Sequence, residues 1–513
     1  MFSRILSGST LGVEGYIVEV ETDVTSKIPG FVIVGLPEGA VKESKERVLS
    51  ALKNSGFKIP PKKFTVNLAP ADVRKEGSLF DLPIALGILK ALDYVRVPDE
   101  FLVIGELSLD GKIKKAKGTL SIVSDAYKRG VKKFIVPPDN AEEAALVEGV
   151  EIFTPLSLSD AVLFFKGELE LKPVNVDREG YFREHASYNV DFSDVKGQES
   201  VKRALEIAAA GGHNILMIGP PGSGKTMLAR RLPTILPRMS IEEAIETTKI
   251  HSVAGLLKKS GIVATRPFRS PHHTVSHAGL IGGGSYPRPG EVSLAHNGVL
   301  FLDELPEFSQ KVIEVLRQPM EDGVVTISRA KQSITFPARF MLVAAMNPCP
   351  CGYLTDPYHK CTCTPSEIRR YHAKISGPLL DRIDIHIEVP AVKFEELRHK
   401  QDGESSAVIR ERVENARMVQ ADRFRGRKIH FNAHMGQREL KEFCQLDSTS
   451  ENILKMAMEK LGLSARAYSR ILKVARTIAD LEGEQDIKPH HIQEAISYRS
   501  LDREDWYMRS IEF

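Results

Sequence analysis

Residues 214–232 constrain the fold of this chain more than any other stretch. An apolar run, Asn214-Ile-Leu-Met-Ile218, leads into Gly219, Pro220, Pro221, Gly222, Ser223, Gly224, Lys225 and Thr226, and a helical pattern starts at Met227. The eight loop residues match GxxxxGK[ST] at every fixed position, and the flanks supply the strand and the helix that the motif requires. Glycines let successive backbone N–H groups turn inward around phosphate oxygens, and the start of a helix adds positive potential. Lys225 is expected to reach the β- and γ-phosphates, the Thr226 hydroxyl to hold Mg2+, and the loop through Met227 to bind the rest of an ATP or GTP molecule. An α/β fold with a buried strand before this loop follows.

Further nucleotide chemistry lies downstream. Val299-Leu-Phe-Leu302 reads as a buried strand ending in Asp303-Glu304. A carboxylate at a strand end holds Mg2+ directly or through water, and its neighbour polarises an attacking water. Asp303 is therefore assigned to the metal and Glu304 to the general base. Another strand, Phe340 to Met346, ends at Asn347, whose amide is suited to orienting the lytic water or sensing the γ-phosphate. After Ser376-Gly-Pro-Leu-Leu-Asp-Arg-Ile-Asp384, alternation predicts Ile383, Ile385, Ile387 and Val389 inside, with Asp384, His386 and Glu388 outside. Arg382 sits where a guanidinium can be presented to a neighbouring subunit's phosphoryl group, the alternative being a salt bridge within the subunit.

These residues, with Ser464-Ala-Arg466, resemble the Walker A, Walker B, sensor 1, arginine finger and sensor 2 positions of AAA+ ATPases. Arg466 is thereby expected to point toward the γ-phosphate. Asp191-Phe-Ser-Asp-Val-Lys-Gly-Gln198 resembles the AAA+ entry motif, which implies that the backbone around Val195 and Gly197 borders adenine. Narrower signals are Arg266-Pro-Phe-Arg-Ser-Pro-His-His-Thr, Pro287-Arg-Pro-Gly-Glu-Val-Ser-Leu-Ala-His296 and Phe301-Leu-Asp-Glu-Leu-Pro-Glu-Phe308. They resemble the magnesium-chelatase-like branch, specifically the YifB/ComM family, over nearly the whole chain. That resemblance implies an ATP-driven hexameric ring that drives DNA branch migration during uptake and recombination of foreign DNA.

Two insertions bear on the load such a ring would move. Val324 to Phe336 reads as two β-rich arms around a basic tip, where helicase-type relatives carry a pore hairpin. Arg329 and Lys331 are the expected phosphate contacts, which position a nucleic acid without reading its sequence; an ordinary solvated hairpin is the alternative. The Gly-rich piece from Gly279 to Gly290 resembles a mobile helix-2 insert. The nearby His272, His273, His277 and His296 fit plain hydrogen bonds better than a metal site. Directly after the Asn347 strand come Cys349, Cys351, Cys361 and Cys363, whose pairing suits a structural tetrahedral zinc. Reduced thiols or a disulfide are the alternatives, and His359 is a possible substitute ligand.

The first third, residues 1–172, is expected to be a separate α+β domain. Its words Gly35-Leu-Pro-Glu, Asn67-Leu-Ala-Pro-Ala-Asp72 and Phe80-Asp-Leu-Pro-Ile-Ala-Leu86 resemble the same family, and Gly105 to Gly130 resembles the ribosomal-S5-like fold of Lon proteases. That resemblance puts Leu79 and Leu120 where a Ser–Lys protease dyad would stand, so a non-proteolytic role is implied. Residues 173–189 read as a polar linker, 190–392 as the P-loop core, and 393–513 as a helical lid with an apolar face on Ala467, Ile471, Val474, Ala475, Ile478 and Leu481. Arg423, Arg425, Arg427 and Lys428 form a short basic run that fits a phosphate patch or an exposed helical face.

Composition bounds the function without choosing it. A length of 513 residues allows about three domains. A net charge of +3 permits nucleic acid as a partner without demanding it. No apolar run approaches the roughly 18 residues of a membrane span. Five cysteines and no secretory pattern in the first residues lead us to expect a cytoplasmic protein without a membrane partner. Two further readings stay open from the residues alone, a motor remodelling a protein partner through Tyr286 and a non-motor ATP switch. The hydrolytic set of Asp303, Glu304 and Arg382 weighs against the switch.

Overall fold

The computed structural model describes every residue except Lys27, Glu38, Arg74, Glu76, 258–261, 285–286, 330–331, 392–402 and 500–513. Lys331, expected at the hairpin tip, and Tyr286 lie outside the described residues. The chain divides into two compact units. One comprises Met1–Ala186, Ser240–Ala264 and Ala330–Phe336; the other comprises Ser187–Met239, Thr265–Arg329 and Pro337–Phe513.

The first unit is built on a seven-stranded mixed sheet. Its order is Gly30–Val34, Lys63–Ala69, Glu14–Thr25, Phe2–Leu11, Phe101–Val103, Lys133–Ile135 and Glu151–Phe153. Strict alternation in Lys63–Ala69 buries Phe64, Val66 and Leu68, the period-2 pattern of a strand with one face on the core. The helix Asp81–Ala91 is almost wholly buried, as its continuous apolar run requires. Leu79 and Leu120 are core residues here, and the Ser78 hydroxyl donates to Glu106.

Residues 240–264 fall in this first unit although they follow the P-loop in sequence, and this departs from the expected core of 190–392. The helix Ile241–Val253 explains the difference. Lys249 lies 3.2 Å from Asp125, and the Ser252 hydroxyl accepts from the N–H of Gly118 at 3.2 Å. Chain order alone does not reveal such a return. The expected linker also contains a short helix, Arg178–His185, capped by Asp177 and tied by Tyr181 to Glu142 at 2.9 Å. Its polar composition hides it, because it buries no residue.

The second unit holds a five-stranded parallel sheet in the order Phe268–Arg269, Gly298–Leu302, Phe340–Met346, Ile215–Ile218 and Ile385–Glu388. Its central strands are buried along their length, as a parallel sheet covered on both faces demands. The P-loop strand lies between the Asn347 strand and Ile385–Glu388. The helices Ser406–Arg423, Ser448–Leu461, Ala465–Leu481 and Pro489–Ser497 share one apolar core with this sheet. Val324–Arg329 and Gln332–Pro337, the two expected arms, are each strands.

The expected outward alternation of Asp384 and His386 does not occur. Asp384 and His386 are each 1% exposed. Glu388, the third expected outward residue, is exposed, whereas the positions of Asp384 and His386 meet protein rather than water.

Candidate active site

Parallel strands deliver their C-terminal ends to one side of the sheet, and loops there are free to carry chemistry. Three neighbouring strands do so here. Gly219 follows Ile215–Ile218, Asn347 follows Phe340–Met346, and Asp303 follows Gly298–Leu302. The P-loop helix, Lys225–Ile235, starts where Gly224 takes a left-handed φ of 90°. Gly222, at φ 77°, is open to its surroundings, since a Cβ there would meet no atom within 4 Å. A Cβ on Gly219 would strike the Val389 carbonyl at 2.1 Å, so only glycine lets the loop leave the sheet.

The polar side chains then converge. Thr226 Oγ1 donates to Asp303 Oδ2 at 2.7 Å. Lys225 Nζ donates to the carbonyls of Gly219 and Pro220 at 2.7 and 2.9 Å, and reaches Asn347 Oδ1 at 3.3 Å. Burial lowers the Lys225 pKa and Asp303 opposes that shift, so the ammonium is short of water and held by the site's own oxygens. Glu304 has a left-handed φ of 53°, unusual for a residue with a side chain, and its carboxylate is 57% exposed beside His273 at 3.3 Å. His273 is a site residue that sequence spacing missed. It stands 31 positions before Glu304, and only the sheet brings the two together. Among the described residues His272, His273, His277 and His296 make no common cluster; His272 bonds Thr274 at 2.9 Å and His296 accepts from the Arg339 N–H at 3.0 Å.

The entry motif is locked to the loop. Arg231 in the P-loop helix donates to the Asp191 carbonyl at 2.9 Å and pairs with Asp194 at 2.7 Å. Val195 is fully buried, Gly197 has φ 66°, and Gln198 donates to the carbonyls of Ser223 and Pro390 at 2.8 and 3.0 Å. Gln198, the last residue of that motif, thereby ties it to the loop, a contact that the sequence does not show.

The two arginines expected at the γ-phosphate are engaged elsewhere. Arg382 pairs with Glu321 and donates to the Pro378 carbonyl at 2.6 Å, which is the intrasubunit alternative. Arg466 follows the cap Ser464 but pairs with Asp381, not with the Lys225 cluster. Asp381 and Arg382 are consecutive, so Arg466 is held to the residue just before Arg382, while Arg382 is held to the helix Arg317–Asp322.

Behind this turn lies a buried polar network. Asp384 lies 2.8 Å from His213 Nδ1 and 2.8 Å from Arg470, and His213 Nε2 lies 2.8 Å from Thr477. Burial pushes the Asp384 pKa up, yet Arg470 and His213 outweigh it and hold the carboxyl well below the usual range. Burial lowers His213 despite Asp384 beside it. The network links the sheet to the helix Ala465–Leu481.

The four expected thiols do gather. Cys349, Cys351, Cys361 and Cys363 offer sulfurs all within 4.8 Å of one another, and three of the separations are 3.3, 3.6 and 3.7 Å. Sulfurs at ~2.3 Å from a tetrahedral zinc stand ~3.8 Å apart, whereas a disulfide needs ~2 Å. All five cysteines are free thiols. Burial raises Cys351, but N–H groups of Tyr353 and Thr362 bring it down to about 6. The donor set fits a thiophilic ion. His359 turns instead to Asp356 at 3.3 Å. The turn inside this cluster touches the nucleotide loop: Gly352, at φ 87°, would place a Cβ 2.7 Å from Pro221.

The chain is similar to known proteins along nearly its whole length. Residues 191–397 match the model of magnesium chelatase subunit ChlI, residues 20–140 that of subunit ChlI of Mg-chelatase, and residues 403–499 that of the ChlI C-terminal region. The chain is 46% identical over 503 residues to the competence protein ComM of Haemophilus influenzae, covering 97% of each. It is 45% identical over 505 residues to YifB of Escherichia coli, covering 98% of this chain and 97% of that protein. A magnesium-chelatase 38 kDa subunit of Chlorobaculum parvum is 23% identical over 337 residues, covering 59% of this chain and 87% of that one. With a P-loop, strand-end Asp303 and Asn347 in one parallel sheet and full-length identity of this order, the chain belongs to the YifB/ComM family of magnesium-chelatase-like AAA+ proteins.

Proposed function

We propose that this protein is a cytoplasmic ATP hydrolase that assembles as a homohexameric ring and drives branch migration of DNA. The observation that carries the reading is the convergence of Lys225, Thr226, Asp303 and Asn347, linked by contacts of 2.7 to 3.3 Å at neighbouring strand ends. The loop donors and Lys225 cradle the triphosphate. Thr226 and Asp303 are hard oxygen donors that fit Mg2+, an ion that neutralises charge on the β- and γ-oxygens when bound. Glu304, steadied by His273, takes the proton of the attacking water, and Asn347 orients that water. Arg382 serves a neighbouring protomer's nucleotide after leaving Glu321, and Arg466 serves its own after leaving Asp381.

DNA as the load is supported by the competence role in the name of the Haemophilus relative and by the basic sequence Arg329-Ala-Lys331 between the two arms. The cysteine cage holds one structural zinc, because four thiolates leave no position open for water. ATPase rate with and without branched DNA tests the reading. Stimulation that vanishes in Lys225→Ala supports it, and no response to any DNA removes DNA as the load. Mixing Lys225→Ala with Arg382→Ala protomers should restore part of the activity; no restoration ends the shared-site account. Arg329→Ala with Lys331→Ala should weaken DNA binding while basal hydrolysis survives. Elemental analysis without zinc retires the metal.

A further inference from the structure

We infer that the first unit carries its own binding groove for single-stranded nucleic acid, apart from the Arg329–Lys331 tip. An open groove of about 740 Å³ runs beside the edge strand Gly30–Val34, the end of the helix Gly39–Asn54 and the segment that follows it. Its polar rim is lysine: Lys45, Lys53, Lys58 and Lys62. Its floor is aromatic, with Phe31 and Phe57 half-buried along it. No carboxylate stands among the described lining residues. Lys53, Lys58 and Lys62 form no ion pair among the described residues, and Lys45 meets only the exposed Glu46, at 3.6 Å.

The charge and the floor select the occupant. Three lysines without an ion pair among the described residues, with Lys45 beside them, favour a polyanion, and flexible lysine stems bind phosphates without fixing a sequence. Aromatic rings in the same groove accept unpaired bases, which a closed duplex does not offer. Phe57 is steadied by an edge contact with Tyr94 at 5.9 Å, and Phe31 by Phe64 at 6.2 Å, so both rings are positioned before a ligand arrives. A strand displaced during branch migration has this chemistry. The inference deepens the proposed function by giving its DNA a second place to bind, yet its test needs no ATP hydrolysis.

Anisotropy of labelled oligothymidylate, measured with the full chain at several salt concentrations and without nucleotide, reads the groove directly. Lys53→Ala with Lys58→Ala and Lys62→Ala should weaken binding tenfold or more and reduce the log–log salt slope by about 2. Phe57→Leu keeps the packing and should weaken binding several-fold with the slope unchanged. Basal ATPase should be untouched in the lysine variant, and Lys225→Ala should still bind. Wild-type affinity in the lysine variant overturns the inference, and so does a weaker affinity at unchanged slope. A lysine variant that changes only self-association assigns the edge to a second copy of the chain and also overturns it. Loss of ATPase in the wild type would sink the motor and leave this measurement standing.

Discussion

Two aspartates on one parallel sheet divide the labour of the second unit. Asp303 follows Gly298–Leu302, meets Thr226 at 2.7 Å, and has the exposed Glu304 as its neighbour. Asp384 precedes Ile385–Glu388, is 1% exposed, and is held by His213 and Arg470. The residue type is the same and the end of the sheet differs. C-terminal ends open onto loops and take ligands; the opposite end is sealed by helices, so a carboxylate there must be paired or not charged. One aspartate stands at the loop-bearing end beside Thr226, and the other joins the helical segment to the sheet.

Four substitutions test that division, the largest effect first. Asp384→Ala strands Arg470 and His213 and should cost about 3–5 kcal/mol of stability, read as a lower Tm or denaturation midpoint. Asp303→Ala should leave the midpoint nearly unchanged and slow ATP hydrolysis on the order of 10²- to 10³-fold. A reversed pattern, with Asp384→Ala folded and slow and Asp303→Ala unfolded, breaks the comparison. His213 sharpens it through pH. Its folded pKa lies below the ordinary value of about 6.5, so the unfolded chain takes the proton first as pH falls. Stability should be full above that value and be lost at about 1.4 kcal/mol per pH unit below it, down to the folded pKa. His434, held down to about 4 by burial and by nearby Lys473 and Arg417, adds a loss of its own as pH falls from about 6.5 to 4. His213→Asn should flatten the dependence of Tm between pH 7 and 5. Gly352→Ala is the mildest: a Cβ 2.7 Å from Pro221 at φ 87° should raise KM for ATP several-fold and move Tm little.

Much of the site was legible because its residues sit in short motifs. Gly219 to Thr226 lie within eight positions, and Asp303 and Asn347 each follow a run whose apolar character marks a strand. The thiols also declared themselves by spacing, and their sulfurs gather within 4.8 Å. What stayed hidden has two physical causes. Alternation reports which positions differ from their neighbours, not what covers them, so it points Asp384 and His386 outward although both are buried. Long-range return is the other cause. His273 beside Glu304, Gln198 beneath Ser223, and the helix Ile241–Val253 in the first unit all depend on contacts between distant segments.

Local chemistry sufficed to write the phosphate loop, the strand-end carboxylates and the cysteine pairs into the chain, since each needs only neighbours in sequence. Which partners those groups meet was decided by the folded sheet. Arg382 turns to Glu321, Arg466 to Asp381 and Asp384 to Arg470, because packing sets the distances between segments and charge at short range then selects the nearest opposite group.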